Sequence, residues 1–325
     1  MTFFSRRAAL AALALAGAAS ATASFAQDAW PSRPVRIIIP GAPGSGTEVA
    51  TRVLAEQLST RLGQNFIVES RPGADGRVGA QAAARSPKDG YTLFMGTIAS
   101  LSLNEHLFSE LGYDPDKDFE PVFFTGFIPM IVAVHPSAPY RTLTDLVEAA
   151  KAKPETVNVA LPSTTSKLVF EVLQQEANVK LFAVPFNQTG SGINNVVAGQ
   201  IPVLIDTVAG TRALIEGGRL RALAVTSPAS TSLLPGVKSA AEQGLPGLQV
   251  TAWNVISVPS GVPPQVRQKL HATMQEILKD ASYRTKLLAV GFEPALAAPA
   301  KPAQDEVRAE RARWGKLIKD RGIKP

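Results

Sequence analysis

A short apolar run, a loop of small residues and an amphipathic helix follow one another repeatedly along this chain, and this alternation restricts the fold most. Val35–Ile39 is the first apolar run. After the loop Pro40–Gly46 comes a helical pattern that Thr47 is placed to cap and Gly63 to close. The same succession continues through Phe66–Glu69 and beyond. Repeated β-loop-α units predict parallel strands covered by helices, which is an α/β fold.

A second alternation begins at Met130–Val134, after a change of pattern near residue 127. Its expected strands are Val157–Ala160, Leu181–Val184, Val203–Ile205 and Leu220–Val225. The remainder of the chain, from about residue 250, has too few elements for a third domain, so we expect it to return to the first. The prediction is a lobe of residues 27–127 plus 250–325 and a lobe of residues 128–249, joined by two crossings that form a hinge with a cleft.

The first 26 residues have the layout of an export signal. Arg6 and Arg7 precede an uncharged Ala/Leu-rich stretch, and small residues continue to Ala26, after which we expect cleavage. Two export routes stay open, because Ser5 and the two arginines fit a twin-arginine signal whereas Ala9 does not. The mature protein is therefore expected to be exported from the cytosol.

The composition removes several classes of function. Cysteine is absent, which excludes disulfides, thiolate metal sites and cysteine nucleophiles, and the three histidines, His106, His135 and His271, lie far apart. We therefore expect no metal and no other cofactor. Loss of the two arginines of the export signal lowers the net charge from +6 to +4, and the basic residues are scattered, so no nucleic-acid partner is expected.

Two catalytic motifs fail in detail. Gly41–Thr47 would be a nucleotide-binding P-loop if lysine followed its last glycine, but threonine stands there. No Gly-x-Ser-x-Gly elbow is present, and Ser163 is one residue too far from Lys167 for a Ser-x-x-Lys pair. We therefore do not expect an enzyme.

Four loops, the last of them Asn187–Ser191, place small polar residues where a helix begins. Such a position presents unpaired backbone N–H groups and the positive end of the helix dipole, so it favours an anion. In open α/β sheets these ends collect at one edge, and two lobes would bring them together across a cleft. The candidate ligand-binding residues are Ala42, Gly44, Ser45, Gly46, Thr47, Gly96, Thr97, Ser163, Thr164, Thr165, Phe186 and Asp206.

The candidates also have purely structural interpretations. Each loop can cap its own helix, Asp206 can be a cap instead of a ligand contact, and Glu48 can complement the helix dipole instead of meeting a ligand's amino group. Lys167 is either an exposed helix lysine or the partner of a second ligand carboxylate. Phe186 and Trp253 either wall the cleft or pack in a core.

The loop Ile37–Glu48 and a series of later motifs resemble the Bug-type solute receptors, the extracytoplasmic binding proteins of tripartite tricarboxylate transporters. The later motifs are Arg71–Gly76, Asp89–Leu93 with Gly96-Thr97, Tyr113–Phe119, Gly218–Val225, Gly244–Gly247 and Trp314. The resemblance covers nearly all of the mature chain in order. It implies a two-lobed periplasmic binding protein of the type II, Venus-flytrap kind. In the family the loops corresponding to Ala42–Thr47 and Ser163–Ser166 bind a carboxylate.

Three departures from the family concern the ligand. Gly41 replaces an aromatic residue, the loop between Ala160 and Lys167 is about two residues short and lacks glycine, and Val184–Ser191 lacks the family's tyrosine and lysine. We therefore expect a monomeric, cofactor-free receptor that captures a small organic acid for the membrane subunits of a transporter. The alternative is a sensory receptor that docks on a sensor kinase ectodomain. The identity of the acid stays open.

Overall fold

One long strand joins the two halves of a ten-stranded sheet in the part of the chain that the structure describes. The computed structural model describes residues 30–186, 189–297, 299 and 301–323, and the predicted export signal lies outside them. The described residues from Arg33 onward form one compact unit. The described residues 30–32 belong to a separate N-terminal unit and contain a cis peptide bond between Trp30 and Pro31.

The strands and helices alternate as the hydrophobic pattern predicts. The strands are β1 Val35–Ile39, β2 Phe66–Ser70, β3 Thr92–Thr97, β4 Phe119–Val134, β5 Asn158–Leu161, β6 Phe182–Pro185, β7 Val203–Thr207, β8 Arg221–Val225, β9 Thr251–Pro259 and β10 Glu293–Pro294. The helices are α1 Gly46–Leu62, α2 Arg77–Ala84, α3 Asn104–Leu107, α4 Leu143–Ala152, α5 Thr164–Glu176, α6 Thr189–Val197, α7 Val208–Glu216, α8 Pro264–Lys279, α9 Ala281–Ala289 and α10 Ala303–Arg321. The α/β prediction is confirmed.

The first half of the sheet has the strand order β2-β1-β3-β9-β4, with β10 also paired to β4. β1 lies parallel to β2 and β3, with Ile37 beside Val68 and Leu93, and these apolar side chains are buried or half-buried between covering helices. β9 runs antiparallel to β3 and to β4. We call this half the first sheet.

The second half has the order β8-β4-β7-β5-β6, and we call it the second sheet. β5 lies parallel to β6 and β7, whereas β7 and β8 run antiparallel to β4. Its core includes Ala160, Val196, Leu204 and Leu220, all fully or nearly fully buried. Both sheets are therefore mixed, which corrects the expectation of purely parallel strands. The antiparallel pairs all involve β4 or β9.

β4 belongs to both sheets, because its residues up to Pro129 pair with β9 and its residues from Met130 onward pair with β7 and β8. The sequence predicts a crossing near residue 127, and the continuous strand β4 passes through that position. β9 begins at Thr251, immediately after the second predicted crossing. Among the described residues, no helix has the length and apolar character needed to span a membrane.

Candidate functional site

The register of β4 brings the carboxyl ends of strands from both sheets to the same place. On one side, Thr97 at the end of β3 lies opposite Asn254, which itself lies opposite Gly126 of β4. On the other side, Thr207 at the end of β7 lies opposite Met130 of β4. The strands of the two sheets thus end facing each other across a few residues of one strand. The helices that follow them begin in the same region.

The start of α1 is built by a loop that folds onto its own cap. Ser45 has extended backbone angles, and its Oγ accepts the Glu48 N–H at 3.3 Å, so Ser45 and not Thr47 is the cap. Gly41 is needed beside it, because a Cβ at residue 41 would lie 2.6 Å from Ser45 Oγ. The N–H groups of Gly46 and Thr47 have no hydrogen-bond partner among the described residues.

Glu48 supports this loop from inside. Its Oε2 accepts the Gly44 N–H at 2.7 Å, and its Oε1 lies 2.6 Å from an Arg52 guanidinium nitrogen. The Gly44 N–H first, and Arg52 second, hold the pKa of the Glu48 carboxyl below its ordinary value. The chain's own carboxylate therefore takes one amide of the loop and leaves the next two helix amides open.

The end of β3 is closed on itself. Gly96 is buried within the strand, where a Cβ would lie 2.3 Å from a Leu101 methyl group. The Thr97 N–H donates to Ser100 Oγ at 3.0 Å, and Thr97 Oγ1 accepts the Ser100 N–H at 3.3 Å. A π-helical turn, Ala99–Leu103, follows the strand and leads into α3. Ligand contact by Gly96 and Thr97 stays a prediction.

The start of α5 carries a reciprocal cap. Ser163 Oγ accepts the Ser166 N–H at 3.1 Å, and Ser166 Oγ accepts the Ser163 N–H at 2.9 Å. This arrangement resembles the capping box, with serine in place of the usual glutamate. The N–H groups of the buried residues Thr164 and Thr165 have no partner within the described chain. Two helix amides are again left open.

The start of α7 is a third helix start with open amides. The sequence analysis predicted a ligand contact here only for Asp206. Thr207 caps α7 by accepting the Gly210 N–H at 3.1 Å, and the described residues offer no partner to the Val208 and Ala209 N–H groups. This start lies beside that of α1, because a Cβ on Gly46 would be 3.7 Å from the Ala209 Cβ. Gly291 also packs here, with no room for a side chain against Ala209.

A second contact joins the two halves of the molecule at the start of α5. Thr164 Oγ1 donates a 2.9 Å hydrogen bond to Oδ1 of Asp75, which lies in the turn between β2 and α2. The sequence interpretation did not include Asp75. The sequence does contain a signal for Asp75. It is an acidic residue within Gly73–Gly76, where two glycines indicate a turn with positive φ angles.

Asp206 is almost completely buried near the end of β7. Its Oδ1 accepts the Thr207 N–H at 2.7 Å, and its Oδ2 has no partner among the described residues. Burial raises the pKa of the carboxyl to about 7, against the lowering effect of the hydrogen bond from Thr207. A buried acid of this kind can donate or accept a hydrogen bond near neutral pH.

The remaining candidates are Phe186, Trp253 and Lys167, the last of which lies in the first turn of α5. Phe186 is half-buried and contacts Gly192 and the core of the second sheet, and Trp253 packs edge-on against Phe124 with ring centroids 5.2 Å apart. Lys167 is half-buried and has no ion pair with a described residue. The loop residues at positions 187 and 188 lie outside the described residues. No group of metal-binding side chains occurs within the described ranges.

Comparison with known proteins shows what kind of chain this is. The family model of the tripartite tricarboxylate transporter family receptor, TctC, matches residues 50–323. The chain belongs to this family. Protein BugT of Bordetella pertussis is 30% identical over 319 residues, covering 96% of this chain and 98% of BugT. The family consists of periplasmic solute-binding receptors and not of enzymes.

Two solved structures of the family share the fold and hold a ligand. A Rhodopseudomonas palustris protein crystallised with adipate is 31% identical, with a TM-score of 0.83 over 91% of this chain and 99% of its own. The protein MatC from the same organism, with bound malate, is 28% identical, with a TM-score of 0.78 over 89% of this chain and 100% of its own. The two-lobed binding-protein fold expected from the sequence is confirmed.

Proposed function

We propose that this protein is a periplasmic receptor that binds a small organic acid between two lobes and delivers it to the membrane subunits of a tripartite tricarboxylate-type transporter. The lobes are residues 27–127 plus 250–325 and residues 128–249, with β4 and the segment before β9 as the crossings. Residues 1–26 direct export, and the receptor acts as a monomer without a cofactor. The adipate and malate bound by two relatives support a carboxylate ligand.

The observation that carries the proposal is the meeting of three capped helix starts. α1 comes from the first sheet and α5 and α7 from the second. Each start has its third amide satisfied by a cap and its first two amides without a partner among the described residues. The short distance between residue 46 and Ala209, and the hydrogen bond of Asp75 with Thr164 at the α5 start, support the proposal.

Main-chain amides are sufficient for this task. A hydrogen bond to a charged group contributes roughly 1.5 to 3 kcal/mol, and micromolar binding needs about 8 kcal/mol, so three to five contacts suffice without a buried lysine or arginine. The contacts proposed for the ligand are the candidate residues predicted from the sequence together with the two α7 amides. They are Ala42, Gly44, Ser45, Gly46, Thr47, Gly96, Thr97, Ser163, Thr164, Thr165, Phe186, Asp206, Val208 and Ala209.

A thermal-shift panel of mono-, di- and tricarboxylates, amino acids and aromatic acids tests the proposal on protein unfolded and refolded to remove co-purified ligand. A ligand present at 100 times its Kd adds about 2.7 kcal/mol to the free energy of unfolding, which raises Tm by several degrees. We expect at least one carboxylate to do so.

The Gly46→Asp variant should lose this response, because its side chain brings a like charge to the α1 start and its Cβ lies 3.3 Å from the Phe292 ring. Gly236→Asp is the matched control. Residue 236 is exposed, has no neighbour within 4 Å of its Cβ position, and has a positive φ that aspartate tolerates. A wild-type protein that responds to no acid would contradict the proposed function.

A further inference from the structure

The turn between β2 and α2 holds a carboxylate in a backbone conformation that favours glycine. Four consecutive residues have positive φ: Gly73 at 126°, Ala74 at 47°, Asp75 at 55° and Gly76 at 85°. Glycine adopts such angles at no steric cost, whereas other residues pay for them and persist there when the surroundings require it. Aspartate tolerates these angles better than most side chains, so the role of Asp75 follows from its contacts and not from its backbone.

The surroundings of Asp75 fix the direction of that side chain. Asn104, which is fully buried, donates from Nδ2 to the Asp75 carbonyl oxygen at 2.9 Å and anchors the turn. The Asp75 carboxylate then accepts the hydrogen bond from the buried Thr164 hydroxyl, across from the first sheet to the start of α5. A negative charge from the protein is thus held at one of the three helix starts.

We infer that Asp75 determines the charge of the ligand, so that the site prefers an acid with one carboxylate over an acid with two. This inference rests on the proposed function. A ligand's first carboxylate binds at the α1 and α7 starts, where Glu48 and Asp206 already accept the N–H groups of Gly44 and Thr207. The amides open to a second carboxylate are those of Thr164 and Thr165. Asp75 already accepts the hydrogen bond from the Thr164 hydroxyl beside them.

The preference follows from like-charge repulsion. Two carboxylates that share hydrogen-bond donors lie a few ångströms apart, and at such distances near a protein surface the repulsion lowers the affinity at least about tenfold. A ligand whose far end is apolar or neutral meets no such penalty. The hydrogen bond from Thr164 keeps the Asp75 carboxylate in place in either case.

Two acids of equal length separate the effect of the second carboxylate: adipate, with two, and hexanoate, with one. Calorimetry gives the ratio of their dissociation constants for the wild type, Asp75→Asn and Asp75→Gly. Asparagine removes the charge and tolerates the backbone angles, and glycine removes the side chain and relieves the strain, so both variants should fold. We expect the ratio of adipate Kd to hexanoate Kd to fall at least about tenfold in both variants.

Glu155→Gly is the matched control, because Glu155 is also an exposed acid at positive φ (61°) and lies before β5, at the opposite edge of the second sheet. In Glu155→Gly the ratio of adipate Kd to hexanoate Kd should equal that of the wild type. An unchanged ratio in both Asp75 variants, with the acids still bound, overturns this inference and leaves the proposed function in place. Absence of binding by every acid of the panel, in the wild type and in the variants, overturns the proposed function itself.

Discussion

The pKa of Asp206 depends on the buried position of its carboxyl group near the end of β7. It stands one residue before the α7 cap, its Oδ2 is buried without a partner in the described chain, and its pKa is raised from 3.8 to about 7. A group whose folded pKa is raised keeps its proton in the native state while the unfolded chain has lost it. The stability that it contributes is complete below about pH 4 and is lost as the pH rises through 7.

The Asp206→Asn variant removes this pH dependence. Asparagine keeps an oxygen for the Thr207 N–H and cannot ionise, so the free energy of unfolding of the variant, relative to wild type, should rise by about 4 kcal/mol between pH 4 and pH 8. Urea unfolding at several pH values measures the difference. If the free energies of unfolding of the two proteins changed with pH in parallel, ionisation of Asp206 in the native state would carry no cost, which would contradict the prediction.

The sequence contained more about the α1 start than its interpretation used. Ser45 and Glu48 form the Ser-x-x-Glu spacing that marks a helix N-terminus, and the structure indeed caps α1 with Ser45. The Glu48 carboxylate reaches the Gly44 N–H instead of that of Ser45. This choice depends on the loop conformation, to which Gly44 contributes a φ of 80° and which a residue pattern does not specify.

At the scale of elements, the cap of α5 links stability to ligand binding. Ser163→Ala leaves the Ser166 N–H without its cap and should lower the free energy of unfolding by about 1 kcal/mol. It should also weaken the binding of adipate several-fold, because the cap holds in place the Thr164 and Thr165 amides that are open to a second carboxylate. Urea unfolding and calorimetry measure the two effects.

Thr142→Ala provides the comparison, since Thr142 caps α4 with a similar reciprocal pair far from the helix starts of the site. We expect the same loss of stability and no loss of affinity. Equal affinities for the two variants would mean that the α5 start does not contact the ligand.

The elements themselves were largely predictable, because strands such as β1 and β5 are short apolar runs with glycine- or serine-containing loops after them. The continuity of β4 could not be predicted from the sequence. Its sixteen residues include Pro121 and Pro129, which interrupt the strand pattern, and only pairing with β9, β7 and β8 holds them in one strand. That pairing is long-range and leaves no local signal.

For the whole molecule, the register of β4 explains why a site lies between the sheets. β3 and β7 end on opposite sides of the β4 segment Gly126–Met130, and β1, which pairs with β3, leads into α1 while β7 leads into α7. The sequence predicted that strand ends would meet across a cleft. It could not show that α7 reaches α1 or that Asp75 reaches α5, because these contacts join residues distant along the chain.

The central claim is that main-chain N–H groups bind the ligand's carboxylate, and residue 46 allows this to be measured. Ser45 is extended, with ψ of 153°, so proline fits at the first position of α1 and removes a single N–H. Gly46→Ala is the matched variant, because it adds the same Cβ beside Phe292 and keeps the N–H.

Calorimetric titration of both variants, with the acid that stabilises the wild type most, decides the question. We expect the affinity of Gly46→Ala for this acid to lie within a few-fold of that of the wild type. Gly46→Pro should bind the acid about ten- to a hundredfold more weakly than Gly46→Ala. Equal affinities for Gly46→Pro and Gly46→Ala would contradict the claim.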